Sequence, residues 1–363
     1  PIEGCEWISR YRRGEPRRVG LNDYLSAIEG RLFIDRGLLI AIYNLLESGE
    51  NILLVGPPGV GKTELARLIA QARGYEPYYV VANAHWSRYD VIGGLMLEGS
   101  RVRWRSGCLI RALVKHIENS SKGKYRGAYL IMDEVNRADV DKAFGEFFLI
   151  FSSSSPRGRF IPESLVEEIR GYMRREGVDV DEYASKLVKY VDEGVLEKVD
   201  GGYRIPEDFR VIATMNYVDV RNLFAVGEAF ARRFSIILVE PPDNVDELLK
   251  KIYERVKNED RLEEEVISKV ESTIGDSLRK LYEEALKVYR SEGILVVSPS
   301  SLYRVVKAFA RVYSSQEQAV DERRLLKLTI ESTLPLMRLW DRRVEEAVRK
   351  VLEVVGAAGG TAS

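Results

Sequence analysis

The run Ile52-Leu53-Leu54-Val55-Gly56-Pro57-Pro58-Gly59-Val60-Gly61-Lys62-Thr63 decides the fold class of this 363-residue chain. Asn51 to Val55 is a short apolar stretch stopped by glycine and proline, as expected of a buried parallel strand. The chain then turns through glycines and enters a predicted helix, Lys62 to Ala72. Gly56, Gly61, Lys62 and Thr63 satisfy G-x-x-x-x-G-K-[ST], a pattern that ordinary residue frequencies produce in roughly one chain in a hundred of this length. Strand, glycine turn and helix form the setting in which that pattern holds phosphate. Glycines let backbone N–H groups turn inward, and the helix presents its positive end to the same anion. Gly56, Pro57, Pro58, Gly59, Val60 and Gly61 would then wrap the phosphates of a nucleoside triphosphate, with Glu64 beside them at the helix start. Lys62 would neutralise the β- and γ-phosphates, and the Thr63 hydroxyl would ligate Mg²⁺.

Further along, Tyr129-Leu130-Ile131-Met132-Asp133-Glu134 places two carboxylates at the end of a second buried strand, where wound sheets bind ligands. Asp133 would hold the Mg²⁺ shell, and Glu134 would orient and deprotonate the attacking water. Pro77 to Ala82, Phe209 to Thr214 and Ser235 to Val239 read as further strands. Strands alternating with helices imply an α/β fold, a parallel sheet covered on both faces. The stripe Leu38, Leu39, Ile42, Leu45 and Leu46 predicts one amphipathic helix within Leu21 to Gly49. Glu163 to Val199 reads as a charged helical insertion that the core does not require. Pro241-Pro242 ends the last strand, which sets the expected domain boundary at 243. Residues 244–355 read as an all-α second domain, and 356–363 as a frayed tail.

Composition narrows the classes. Lys plus Arg number 55 against 56 Asp plus Glu, which removes the global basic charge of a protein that coats nucleic acid by electrostatics alone. Cys5 and Cys108 are the only cysteines, so neither a disulfide framework nor a four-thiolate zinc site is expected. With no apolar run long enough to span a bilayer and no signal-peptide pattern, the expectation is a cytoplasmic protein with no membrane span. The chain opens on Pro1 rather than Met, which leaves room for an upstream domain. Three glutamines beside abundant Glu, Arg, Lys and Val make a bias also seen in proteins from hot environments.

Asp133-Glu134-Val135-Asn136-Arg137-Ala138-Asp139 resembles the signature of the dynein-related AAA+ ATPases, the group that holds MoxR-like and McrB-like proteins. The resemblance extends from about Ile28 to Tyr313 and implies a P-loop αβα sandwich with a C-terminal helical lid. Val211-Ile212-Ala213-Thr214-Met215-Asn216-Tyr217-Val218-Asp219 is similar to the family's sensor-1 strand, which gives Asn216 the task of placing the attacking water. Ala229-Phe230-Ala231-Arg232-Arg233-Phe234 resembles the arginine-finger element, with Arg233 the first choice and Arg232 the second. A finger acts on the nucleotide of the neighbouring subunit, so the resemblance implies a homo-oligomer, in the family a hexameric ring. Val297-Ser298-Pro299-Ser300-Ser301-Leu302 resembles the sensor-2 helix start, yet Ser300 stands where those proteins often carry arginine. Arg304, one turn along, is read either as its substitute at the nucleotide or as a surface arginine.

Asp90-Val91-Ile92-Gly93-Gly94 and Ser106-Gly107-Cys108-Leu109-Ile110-Arg111-Ala112 resemble the flanks of the family's helix-2 insert, placed here at about 90–107. Leu95 to Glu98 and Arg101 to Arg105 predict a β-hairpin turning at Gly99-Ser100, with Arg101, Arg103 and Arg105 on one face. Those arginines suit a phosphate backbone, an acidic protein, or plain solvent. No N-K-x-D guanine-reading motif occurs, but McrB-like motors read guanine without one, so ATP and GTP both stand as substrates. Three outputs remain open: a MoxR-like remodelling ATPase acting on a protein partner, a McrB-like DNA motor, and a nucleotide-gated scaffold that hydrolyses little.

Overall fold

The computed structural model describes residues 19–29, 31–122, 125–152, 155–216, 230, 232–315, 322–334 and 342–357. The chain falls into two compact units, one made of 1–28, 36–55 and 63–238 and the other of 29–35, 56–62 and 239–363.

The first unit is built on a five-stranded sheet in the order β11-β1-β10-β5-β2. Its strands are β1 (Ile52–Gly56), β2 (Tyr75–Val81), β5 (Gly127–Asp133), β10 (Val211–Asn216) and β11 (Ser235–Leu238). β1 pairs parallel with β11, and β5 pairs parallel with both β10 and β2. Every residue of β5 is buried, as a central parallel strand covered on both faces must be. Helices α1 (Leu21–Glu29), α2 (Arg36–Glu47), α3 (Lys62–Ala72), α4 (Arg88–Val91), α5 (Cys108–Lys122) and α6 (Val140–Ile150) precede or link the strands. The single helix expected within Leu21 to Gly49 is two helices. The apolar stripe that suggested it, Leu38 to Leu46, lies wholly in α2, so its period never bore on the chain before Arg36.

The hairpin forms as its turn chemistry dictates. β3 (Gly93–Glu98) pairs antiparallel with β4 (Arg101–Ser106), Glu98 opposite Arg101, with Gly99 at a positive φ of 64° between them. Trp104 is buried while Arg101, Arg103 and Arg105 are exposed.

The segment 163–199 departs from its sequence reading. It holds α7 (Glu163–Met173), β7 (Val178–Val180), α8 (Glu182–Asp192) and β8 (Lys198–Val199), and it is not a helical appendage. Leu165, Val166 and Ile169 of α7 and Ala184, Leu187 and Val188 of α8 belong to the same hydrophobic core as Leu130, Met132 and Phe144. The charges that suggested an appendage occupy the outer faces of two amphipathic helices. β7 adds to the hairpin as a third strand, parallel to β4, and β8 joins β6 (Phe160–Pro162) and β9 (Gly202–Arg204) in a small sheet of their own.

Two charged residues tie this segment to the hairpin. Asp181 caps α8 through Ala184 N–H at 2.9 Å and accepts from the Ser106 N–H at 2.6 Å and the Ser106 hydroxyl at 2.7 Å. Arg88 donates to Glu146 of α6 and Glu168 of α7, both at 2.8 Å, and to the Gly93 carbonyl at the hairpin base, also at 2.8 Å.

The second unit contains α9 (Val245–Asp260), α10 (Glu264–Glu292), α11 (Pro299–Ser314), α12 (Glu322–Thr333) and α13 (Arg342–Ala357). Leu248, Ile252, Leu278, Leu281, Val305 and Phe309 are among the buried residues that form its core. No helix among the described residues is long and apolar enough to cross a membrane.

Asp181→Ala would strip a helix cap and leave both Ser106 donors unsatisfied in a buried setting. The expected loss is about 2 to 3 kcal/mol of unfolding free energy, read from the shift in urea midpoint at unchanged m-value.

Candidate active site

Asp133 ends β5 and is only 7% exposed. Its Oδ1 accepts from the Thr63 hydroxyl at 2.7 Å and from the Thr214 hydroxyl at 2.5 Å. Its Oδ2 accepts from the Tyr79 phenol at 2.8 Å. Burial, reinforced by the bond to Asp133, pushes the Tyr79 hydroxyl up to about 12, so it donates at every working pH. The Arg67 guanidinium lies 4.2 Å from the centre of the Tyr79 ring. Thr63 and Asp133 therefore offer two hard oxygen donors within hydrogen-bond reach of each other, which fits Mg²⁺.

Glu134 follows in the left-handed backbone region, at φ 54° and ψ 45°. A glutamate in that conformation costs about 1 kcal/mol or more and persists only where the surroundings enforce it. The enforcement is visible: Glu134 N–H donates to the Thr214 hydroxyl at 3.0 Å, and the side chain is held at both oxygens. Asn216 Nδ2 donates to Oε1 at 3.1 Å, and Arg137 Nε pairs with Oε2 at 2.8 Å. Thr214 thus accepts a hydrogen bond from the Glu134 backbone N–H and donates one to Asp133, so a single hydroxyl fixes the two acids relative to each other.

The glycine loop has its own constraints, all satisfied inside the second unit. A Cβ on Gly56 would lie 2.3 Å from the Val239 carbonyl oxygen, and one on Gly59 would lie 2.3 Å from the Ser298 hydroxyl oxygen. Gly59 and Gly61 take positive φ values of 80° and 94°. Lys62 Nζ donates to the carbonyls of Gly56 at 2.9 Å and Pro57 at 2.8 Å, which arches the loop over the ammonium. Pro57 and Val60 are buried, whereas Pro58 and Gly59 are exposed. Glu64 sits in the first turn of α3, where a negative charge suits the helix dipole. Ser300, which stands where relatives often carry arginine, donates its backbone N–H to the Gly59 carbonyl at 3.2 Å. Arg304 lies on the exposed face of α11.

Arg233 and Arg232 have different settings. The Arg233 guanidinium donates to the Phe148 carbonyl of α6 at 3.2 Å and lies 5.2 Å from the centre of the Phe148 ring. Arg232 is exposed. Tyr217, Val218 and Asp219 of the sensor-1 match, and Ala229 and Ala231 of the finger match, lie outside the described residues.

The family model for the AAA domain of the dynein-related subfamily matches residues 51–234, half of the chain. The protein belongs to the dynein-related AAA family. A central parallel sheet with flanking helices and a C-terminal helical region is the architecture of that family's P-loop module. Nucleotide binding and hydrolysis are its class properties.

Among curated proteins, the chain is 30% identical over 215 residues to the type IV methyl-directed restriction enzyme EcoKMcrB subunit of Escherichia coli, covering 58% of this chain and 39% of that one. It is 28% identical over 116 residues to protein NorQ of Paracoccus denitrificans, covering 32% of this chain and 39% of NorQ. It is 26% identical over 249 residues to the type II restriction enzyme BsuMI component YdiS of Bacillus subtilis, covering 60% of this chain and 64% of YdiS. The chain thus spans under two thirds of each of these relatives.

Three residues of this AAA site escaped the sequence reading: Tyr79, Thr214 and Arg137. Thr214 left a signal, a polar residue inside an otherwise apolar buried strand. Arg137 lay inside the quoted signature. Tyr79 left none, because only the register of β2 against β5 brings it alongside Ile131 and within reach of Asp133.

Thr214→Val keeps the shape of a fully buried side chain and deletes the bridge between the two acids. It is expected to cost about 1 to 3 kcal/mol in chemical denaturation, because the Glu134 N–H loses its partner.

Proposed function

We propose that this protein is a Mg²⁺-dependent AAA ATPase that works as a homo-oligomeric ring and couples hydrolysis to the remodelling of a protein partner. The hydroxyl network that locks Asp133 and Glu134 together at the carboxyl end of β5 carries this reading. In it, Gly56 to Gly61 present backbone donors to the phosphates, and Lys62 supplies positive charge to the β- and γ-phosphates. Mg²⁺, held by Thr63 and Asp133, would polarise the phosphates. Glu134 takes a proton from the attacking water, and Asn216, bonded to the same carboxylate, fixes where that water sits.

Arg233 or Arg232 of a neighbouring subunit would offset charge developing on the γ-phosphate. The exposure of Arg232 supports it as strongly as the sequence match supports Arg233, whose guanidinium rests on Phe148 of its own subunit. The domain limits proposed are a nucleotide-binding part to about 243 and a lid to about 355, with Arg304 a candidate lid contact to nucleotide.

A second reading, a subunit of a DNA-restriction machine using ATP or GTP, is favoured by one observation. The alignments to two restriction-enzyme components extend over 58% and 60% of the chain, against 32% for NorQ. Turnover stimulated by DNA and suppressed steeply by salt would select it, and turnover indifferent to DNA would select the protein-remodelling reading.

Glu134→Gln is expected to bind ATP as the parent does while turnover falls at least about a hundredfold. Equilibrium binding of a fluorescent ATP analogue and a phosphate-release assay check the two halves, and parental turnover in the variant overturns the assignment.

A further inference from the structure

A cavity of about 330 Å³ opens between the end of β2, the short helix α4 and the base of the β3–β4 hairpin. Binding pockets run from about 300 to 1,000 Å³, so this one suits a single bulky side chain better than a cofactor. Tyr78, Val80, Trp86 and Met96 give it apolar and aromatic walls. Part of this lining is open to solvent, with Tyr89 50%, Val81 44% and Met96 40% exposed. Gly94 keeps the hairpin base open to the Tyr89 ring, since a Cβ there would lie 2.2 Å from two ring carbons.

The rim carries one unpaired arginine. Arg105 is exposed and makes no ion pair with any described residue, whereas Arg111, also in the lining, pairs with Asp181 at 3.7 Å. Asp90 is the acid among the lining residues, and its carboxylate, which keeps its charge, accepts from the Ser87 N–H at 2.9 Å and hydroxyl at 3.1 Å. The Cys108 thiol beneath is pushed up to about 12 by burial and stays neutral. Among the charged lining residues Arg105 alone has neither an ion pair, as Arg111 has with Asp181, nor a capping role, as Asp90 has at the start of α4.

We propose that this cavity is where the partner protein docks, taking a bulky apolar or aromatic side chain into the pocket while a flanking carboxylate of the partner pairs with Arg105. The inference rests on the partner-remodelling reading above and gives that partner a chemistry. Buried anchors of this kind dominate binding energy, and complementary charge at the rim sets register. One observation favours a protein over a nucleic acid. Glu98 at the hairpin tip pairs with Arg103 at 3.6 Å and interrupts the basic row that a phosphate backbone would follow.

Selection of a displayed library of random short peptides against the full chain tests the proposal. The expected winners carry Leu, Phe or Trp next to Asp or Glu. Synthesised, they bind with an affinity that Arg105→Glu and Met96→Asp each weaken by about tenfold or more, while ATP turnover measured without peptide stays at the parental rate. Winners that bind both variants as well as the parent, or no enrichment over the double variant, overturn the proposal. A single-stranded oligonucleotide that binds in an Arg105-dependent, salt-sensitive way overturns it in favour of nucleic acid. Failure of the peptide arm with normal turnover removes only the docking inference, whereas absent turnover in the parent removes the ATPase reading.

Discussion

Three hydroxyl groups converge on the Asp133 carboxylate, from Thr63 at the start of α3, Thr214 in β10 and Tyr79 in β2. Each comes from a different segment, so one side chain measures the alignment of two strands and a helix start at once. A carboxylate that accepts several hydrogen bonds is held in one rotamer. That stillness is what a metal site needs, because hard cations reward donors already in place. It also spreads to Glu134: the backbone of that residue is strained, and the Thr214 oxygen that satisfies its N–H is the same atom that braces Asp133.

The remaining charged contacts extend this order outward. Arg88 joins α6, α7 and the hairpin base through three bonds, and α6 also bears Phe148, against which Arg233 rests. A displacement of the hairpin base thus has a packed route, through Arg88 and Glu146, to the helix on which Arg233 rests. The route is short and made of charge-assisted bonds, which transmit geometry better than apolar contacts that can slide.

Much of this was legible before any coordinates. The phosphate loop, the paired carboxylates and the Asn216 strand are local patterns, each complete within a few consecutive residues, and local patterns survive reading in one dimension. The hairpin was legible for the same reason, since Gly99-Ser100 and the alternation around it fix register without help from elsewhere. Tyr79 and Thr214 were not, because their tasks exist only once strands distant in sequence lie side by side. The segment 163–199 misled because charge density describes the outer face of a helix and says nothing of the Leu165, Ile169 and Leu187 that face inward.

The Asp181 carboxylate begins α8 and, with its other bonds, finishes β4. Segment and hairpin are consequently one heritable piece. A descendant that shed residues 163–199 would strand Ser106 and bare the β4 edge that β7 covers. A descendant that redrew the hairpin would in turn unseat the cap of α8. Lineages of this fold should gain and lose the two together, and a graft of the hairpin into a relative should carry the distant segment with it.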